Sequence, residues 1–106
     1  MKVAVPVKTK RDNPAVAPLF GKAKYFAIVT NNNITIEKNP FQNGTDVVLW
    51  LNSLGVESLL IQEIGYKPYQ LIQELGMRLY YVGEKRIELN EVIQKLNSGE
   101  LQALNE

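Results

Sequence analysis

Three short polar stretches hold most of the chemistry this chain can offer. Lys8, Lys10 and Arg11 precede a Leu19-Phe20-Gly21 turn. Asn43-Gly44-Thr45 and Gly65-Tyr66-Lys67 each precede an apolar pattern of helical period. The first N–H groups of a helix have no partner inside it and carry partial positive charge, so they attract anions. Lysine adds a mobile point charge, and glycine lets a ligand approach the backbone. The ligand-binding set expected from these types is Lys8, Lys10, Arg11, Phe20, Gly21, Asn43, Gly44, Thr45, Gly65 and Lys67, with an anion as ligand. Phe20 reads more simply as a plug beneath its own loop.

What is missing narrows the chemistry further. There is no cysteine and no histidine. Disulfides, thiolate metal sites, cysteine nucleophiles and histidine-dependent triads are excluded. Ser53, Ser58 and Ser98 have no nucleophile-elbow context, and Gly44 and Gly65 belong to no dinucleotide or Walker pattern. No catalytic residue and no protein-ligated metal is expected. The net charge of +1 gives no reason to expect nucleic acid, but its distribution is uneven. Residues 1–24 hold six bases and one acid, and the remainder holds six bases and ten acids. Such asymmetry steers anions toward the basic segment.

At 106 residues, with 45% apolar and 22% charged side chains, the chain fits one globular domain spanning 1–106. No apolar run approaches the roughly 20 residues that span a bilayer, so no membrane partner is expected. Met1–Val7 lacks the features of a secretory leader, and a cytoplasmic location is the default expectation.

The elements that would position the polar stretches follow from periodicity. Lys2–Val7 reads as a buried strand, with Pro6 placed near its end because proline cannot donate to a ladder. Residues 8–24 read as a long loop. Tyr25–Thr30 and a third strand around Ile34 and Ile36 form a hairpin about Asn31-Asn32-Asn33. Thr45 suits the N-cap of a helix through Leu54, stopped by Gly55. Val56–Gln62 is the fourth strand. Pro68 fits the first position of a second helix whose inner face is Tyr69, Ile72 and Leu75, ended by Gly76. Met77–Val82 is the last strand. Leu89, Val92, Ile93 and Leu96 mark a third helix from Glu88 to Asn97.

The order β–β–β–α–β–α–β–α predicts an α/β fold: a five-stranded mixed sheet of order 3-2-1-4-5, strand 2 alone antiparallel, with three helices. Strands 3 and 5 would be open edges. Strand 1 is the switch point, where α/β sheets bind ligands at the carboxyl ends of the strands. The order is similar to that of ribonuclease H-like domains, whose nucleases cluster carboxylates around two metals. Strand 1 here has no Asp or Glu, so nuclease activity is not expected.

Several passages together resemble one family. They are Met1–Val7, Pro18-Leu19-Phe20-Gly21-Lys22-Ala23-Lys24-Tyr25-Phe26, Leu54-Gly55-Val56, Ile64-Gly65, Leu75-Gly76-Met77 and Ser98-Gly99-Glu100-Leu101. Their order and spacing are similar to those of the dinitrogenase iron–molybdenum cofactor biosynthesis family. The resemblance implies a ribonuclease H-like three-layer domain without nuclease activity. It also implies a non-catalytic carrier or accessory role toward an anionic iron–sulfur-type cluster, with a protein partner in cofactor assembly. That family usually places a histidine before Phe-Gly, where this chain has Leu19. A cluster would then be held by charge and N–H groups, without Cys or His ligation. The alternative is a protein-interaction or small-anion-sensing module that binds no metal cluster.

Overall fold

The computed structural model describes residues 1–31 and 33–105. A single mixed sheet carries β1 (Val3–Val7), β2 (Tyr25–Thr30), β3 (Asn33–Lys38), β4 (Ser58–Ile61), β5 (Arg78–Tyr81) and β6 (Gln102–Ala103), in the order β3-β2-β1-β4-β5-β6. Asn32 of the expected turn lies outside the described residues. β2 is antiparallel to both β1 and β3, whereas β4 is parallel to β1 and to β5.

The expectation of five strands is corrected to six. β6 pairs antiparallel with β5 through Tyr80 opposite Ala103 and Tyr81 opposite Gln102. Two residues carry no alternation to read. The pairing is held from outside the strand. The Asn105 side chain accepts from Leu79 N–H and donates to Met77 C=O, both at 2.9 Å. β5 is thereby covered, and β3 keeps its open edge.

The sheet separates two apolar layers. On one face Ala4, Phe26, Ile28, Leu59, Ile61 and Leu79 pack against Val47, Val48 and Leu51 of α1 (Gly44–Ser53) and Ile72 of α2 (Tyr66–Glu74). On the other, Val3, Val5, Val7, Ala27 and Leu60 meet Leu89 and Val92 of α3 (Leu89–Asn97). This alternation along each strand follows from the period of two. Leu75 was expected on the inner face of α2 but is 37% exposed. It is the C-cap residue, where the chain is already turning away.

α1 and α2 stop alike. Gly55 and Gly76 have φ of 85° and 72°, which a side chain disfavours. The next residues, Val56 and Met77, donate back to Leu51 and Ile72 carbonyls at 3.1 Å. Each helix is thus folded directly into the following strand.

Pro6 is buried within the central strand, where a proline is ordinarily excluded. Its carbonyl accepts from Ala17 N–H at 2.8 Å, so its polar edge faces away from β2 and toward the β4 side. The β1–β4 ladder is already over there: it pairs only Val3 with Ser58 and Ala4 with Leu59. No ladder hydrogen bond is lost.

Asn105→Ala should cost about 1–3 kcal/mol in urea denaturation, because it strands the Leu79 N–H of β5 and the Met77 C=O just before it. A change below about 0.3 kcal/mol would mean that the Asn105 side chain does not hold this end of the chain to β5.

Candidate functional site

Once β1 and β4 part after Ala4, the returning loop fills the gap. Val16 bridges to Val7, and Lys8 N–H donates to Ala15 C=O. Leu19 bridges to Glu63, and Phe20 N–H donates to Glu63 C=O at 3.0 Å. Phe20 opens a 3-10 turn, Phe20–Lys22, and its ring is 1% exposed, edge-on to Phe26 at 5.4 Å. The ring is a core plug, as its simpler reading held, so only the backbone of Phe20 can face a ligand.

That turn sets Gly21 against the start of α1. A methyl at Gly21 would lie 3.2 Å from both Cα and N of Gly44. A methyl at Gly44 would overlap the Pro68 ring of α2. Three chain segments thus meet at Gly21, Gly44 and the Pro68 ring, the first two having no side chain. The crevice they frame, about 280 Å³, is lined by Leu19, Phe20, Gly21, Lys22, Gly44, Glu63, Ile64, Gly65 and Pro68. It opens at the carboxyl ends of β1 and β4.

The two helix starts beside it differ. Asn43, not Thr45, is the N-cap of α1. Its Oδ1 accepts from Asp46 N–H and from the Thr45 hydroxyl, both at 2.9 Å, and its Nδ2 donates to Asp46 Oδ2 at 2.8 Å. Both residues are capping types, but the Thr45 hydroxyl is committed to Asn43. With an acid in its first turn and an amide on its N–H groups, α1 is already satisfied. α2 is not. Gly65 caps it without a side chain, its first turn has no acid, and Lys67 is exposed there. Pro68 is the third residue of α2 rather than the first. It is tolerated because that position has no intrahelical N–H bond to lose.

Lys8, Lys10 and Arg11 do not join this crevice. Asn13, with φ of 48°, donates to Glu88 Oε1 at 3.3 Å and accepts from Asn90 N–H at 2.8 Å. This caps α3 from a distant loop and pins the basic turn over that helix, on the opposite face of the sheet from α1 and α2. The ten expected residues therefore lie at one end of the sheet but on two sides of it. Phe20, Gly21, Gly44 and Gly65 are brought together, and Asn43, Thr45 and Lys67 flank them.

Sequence reasoning missed a larger cavity, of about 570 Å³, next to the crevice, whose one lining acid among the described residues is Glu63. The second cavity is lined by Gly21, Lys22, Ala23, Lys24, Tyr25, Lys38, Asn39, Phe41 and Gln42. Lys22 and Lys24 belong to the basic N-terminal segment, which signalled them. Lys38 joins them only through hairpin register, opposite Tyr25.

Comparison with known proteins places this geometry. The family model described as dinitrogenase iron-molybdenum cofactor matches residues 1–99. The chain belongs to that family. An uncharacterized protein of Methanocaldococcus jannaschii is 30% identical, over 96% of this chain and 90% of its own. A Thermotoga protein described as a candidate NifB has the same fold at a TM-score of 0.82 and 25% identity, covering 99% of this chain and 94% of that one. The apo form of the orange protein from Desulfovibrio gigas superposes at 0.85 with 21% identity, covering 95% and 90%, a likeness of fold. No described helix is long and apolar enough to cross a membrane.

The contact between α1 and α2 gives a paired test. Gly44→Ala should destabilise the protein by about 1–3 kcal/mol, since the methyl meets a stiff ring rather than a flexible tip. Gly65→Ala, whose methyl would sit 3.6 Å from Pro68 Cδ, should cost only the poorer capping of alanine, less than about 1 kcal/mol. Equal losses in chemical denaturation would contradict the close approach at Gly44.

Proposed function

We propose that this protein is a non-catalytic accessory of iron–molybdenum cofactor assembly that carries an anionic metal–sulfur cluster as cargo. Membership of the family supports the pathway. The observation that carries the binding mode is the start of α2: an uncapped helix N-terminus, free of acids in its first turn and joined by Lys67, beside a glycine-lined crevice.

Bonds from the protein to iron do not fit this chain. It has no cysteine and no histidine, and the described residues contain no group of three His, Cys, Asp or Glu able to hold a metal ion. A preformed cluster brings its own sulfide ligands and a net negative charge. Tyr66 and Lys67 N–H groups, the Lys67 and Lys22 ammonium groups, and the close backbones of Gly21 and Gly65 suit such a cargo without replacing any of its ligands. Glu63 opposes it, which favours weak, reversible holding. The open edge of β3, with Ile34 45% exposed, supports docking to a protein partner during transfer.

The test is anaerobic titration with an isolated anionic iron–sulfur cluster, read by gel filtration and visible absorption. Co-elution of colour with protein is expected, and colourless protein at every ratio would overturn the reading. Gly65→Asp should leave stability within a few tenths of a kcal/mol or raise it, because aspartate caps helices at least as well as glycine, yet should abolish loading. Glu63→Gln should strengthen loading. Unchanged loading in both variants would move the site elsewhere.

A further inference from the structure

We infer that the larger cavity, at the end of the β2–β3 hairpin, is a second site that binds a polyanion attached to a flat unsaturated ring, the chemistry of a nucleoside diphosphate. Three lysines line it, Lys22, Lys24 and Lys38, and no acid does among the described residues. All three are exposed, and none has a carboxylate within 4.0 Å among the described residues. Three unneutralised cations around one concavity focus positive potential on whatever enters it. The neighbouring crevice sets one lysine against one glutamate. Charge alone therefore favours the larger cavity for a ligand with more than one negative group.

The cavity also has an aromatic wall, and it is braced. Phe41 lines the cavity and is 40% exposed. Behind it stands Trp50, edge-on at 6.5 Å, and Trp50 in turn meets Phe26 of the core at 6.0 Å. The loop presenting Phe41 is fixed by Asn39. That side chain donates to Ala23 C=O and accepts from Phe41 N–H, both at 2.9 Å, and Asn39 N–H donates to Lys24 C=O at 2.8 Å. An exposed ring held this firmly costs little entropy when a second ring stacks on it. Tyr25 adds further apolar surface, and the exposed Gln42 offers an amide able to reach the edge of a polar ring. A cavity of about 570 Å³ lies within the range of roughly 300–1,000 Å³ that small-molecule sites occupy. Simple inorganic anions would satisfy the lysines and leave Phe41 wet.

The site adjoins the cargo crevice and shares the Gly21-Lys22 turn with it, so it is tested on Lys24, Lys38 and Phe41, which line the larger cavity alone. The experiment is calorimetric titration of the full chain with ADP, pyrophosphate and adenosine, at low and high salt. ADP is expected to bind tightest, pyrophosphate more weakly and adenosine not measurably, with ADP affinity falling as salt rises. Lys24→Glu with Lys38→Glu should weaken ADP about tenfold, the scale of several screened charge pairs. Phe41→Ala should weaken ADP about tenfold, the scale of one lost stacking contact, while leaving pyrophosphate unchanged. Gly65→Asp should leave ADP binding intact, which separates this site from the cargo crevice. Unaltered melting temperatures of the lysine and Phe41 variants establish that they remain folded. No binding of ADP, equal affinity for ADP and pyrophosphate, or loss of ADP binding in Gly65→Asp but not in the lysine variant would each overturn the inference.

Discussion

The architecture turns on a short central ladder. β1 and β4 hold each other through only two residue pairs, and Pro6 lies beyond them, where the ladder asks no donor of it. The gap is taken by Ala15–Leu19, which bonds to β1 on one side and bridges to Glu63 on the other. Everything at this end of the molecule is set by that insertion: the buried Phe20 ring, the seat of Gly21 on Gly44, and the crevice between α1 and α2. A continuous parallel ladder would close the switch point and leave no concavity.

Two helix starts of the same topology have been given different chemistry. α1 closes its own N-terminus with Asn43 and Asp46, and its first-turn Gly44 serves as a contact point for Gly21 and Pro68. α2 leaves its N-terminus open behind a glycine and adds a lysine. The difference is local and is carried by a handful of side chains. It makes one helix start a packing contact and leaves the other open. Carrying a cluster without ligating it asks for this kind of surface. Directed N–H groups and mobile ammonium groups hold an anion without competing for its metals, and a nearby carboxylate keeps the hold reversible.

Much of this was legible in the sequence. The three helices, the first five strands and their order followed from apolar periodicity, with Gly55 and Gly76 marking where helix gives way to strand. β6 was not legible, because two residues have no period and its support comes from the side chain of Asn105. The start of α1 was misplaced by two residues, since Asn43 and Thr45 are both capping types and only geometry shows which oxygen reaches Asp46 N–H. The basic loop was placed at the correct end of the sheet but not on the correct side. Its position depends on Asn13 meeting Asn90, a contact 77 residues apart with no local signal. Lys38 was overlooked for the same reason: hairpin register, not sequence proximity, sets it beside Lys22 and Lys24.

The central claim is that an anionic cluster sits against the open start of α2 and touches no protein ligand. The most direct measurement is paramagnetic broadening of backbone amide resonances in isotope-labelled protein as an anionic iron–sulfur cluster is added anaerobically. The account requires broadening to centre on Gly65, Tyr66 and Lys67, to reach Gly21 and Gly44, and to spare the Lys8–Asp12 turn. Broadening centred on that basic turn, or none at saturating cluster, would contradict it.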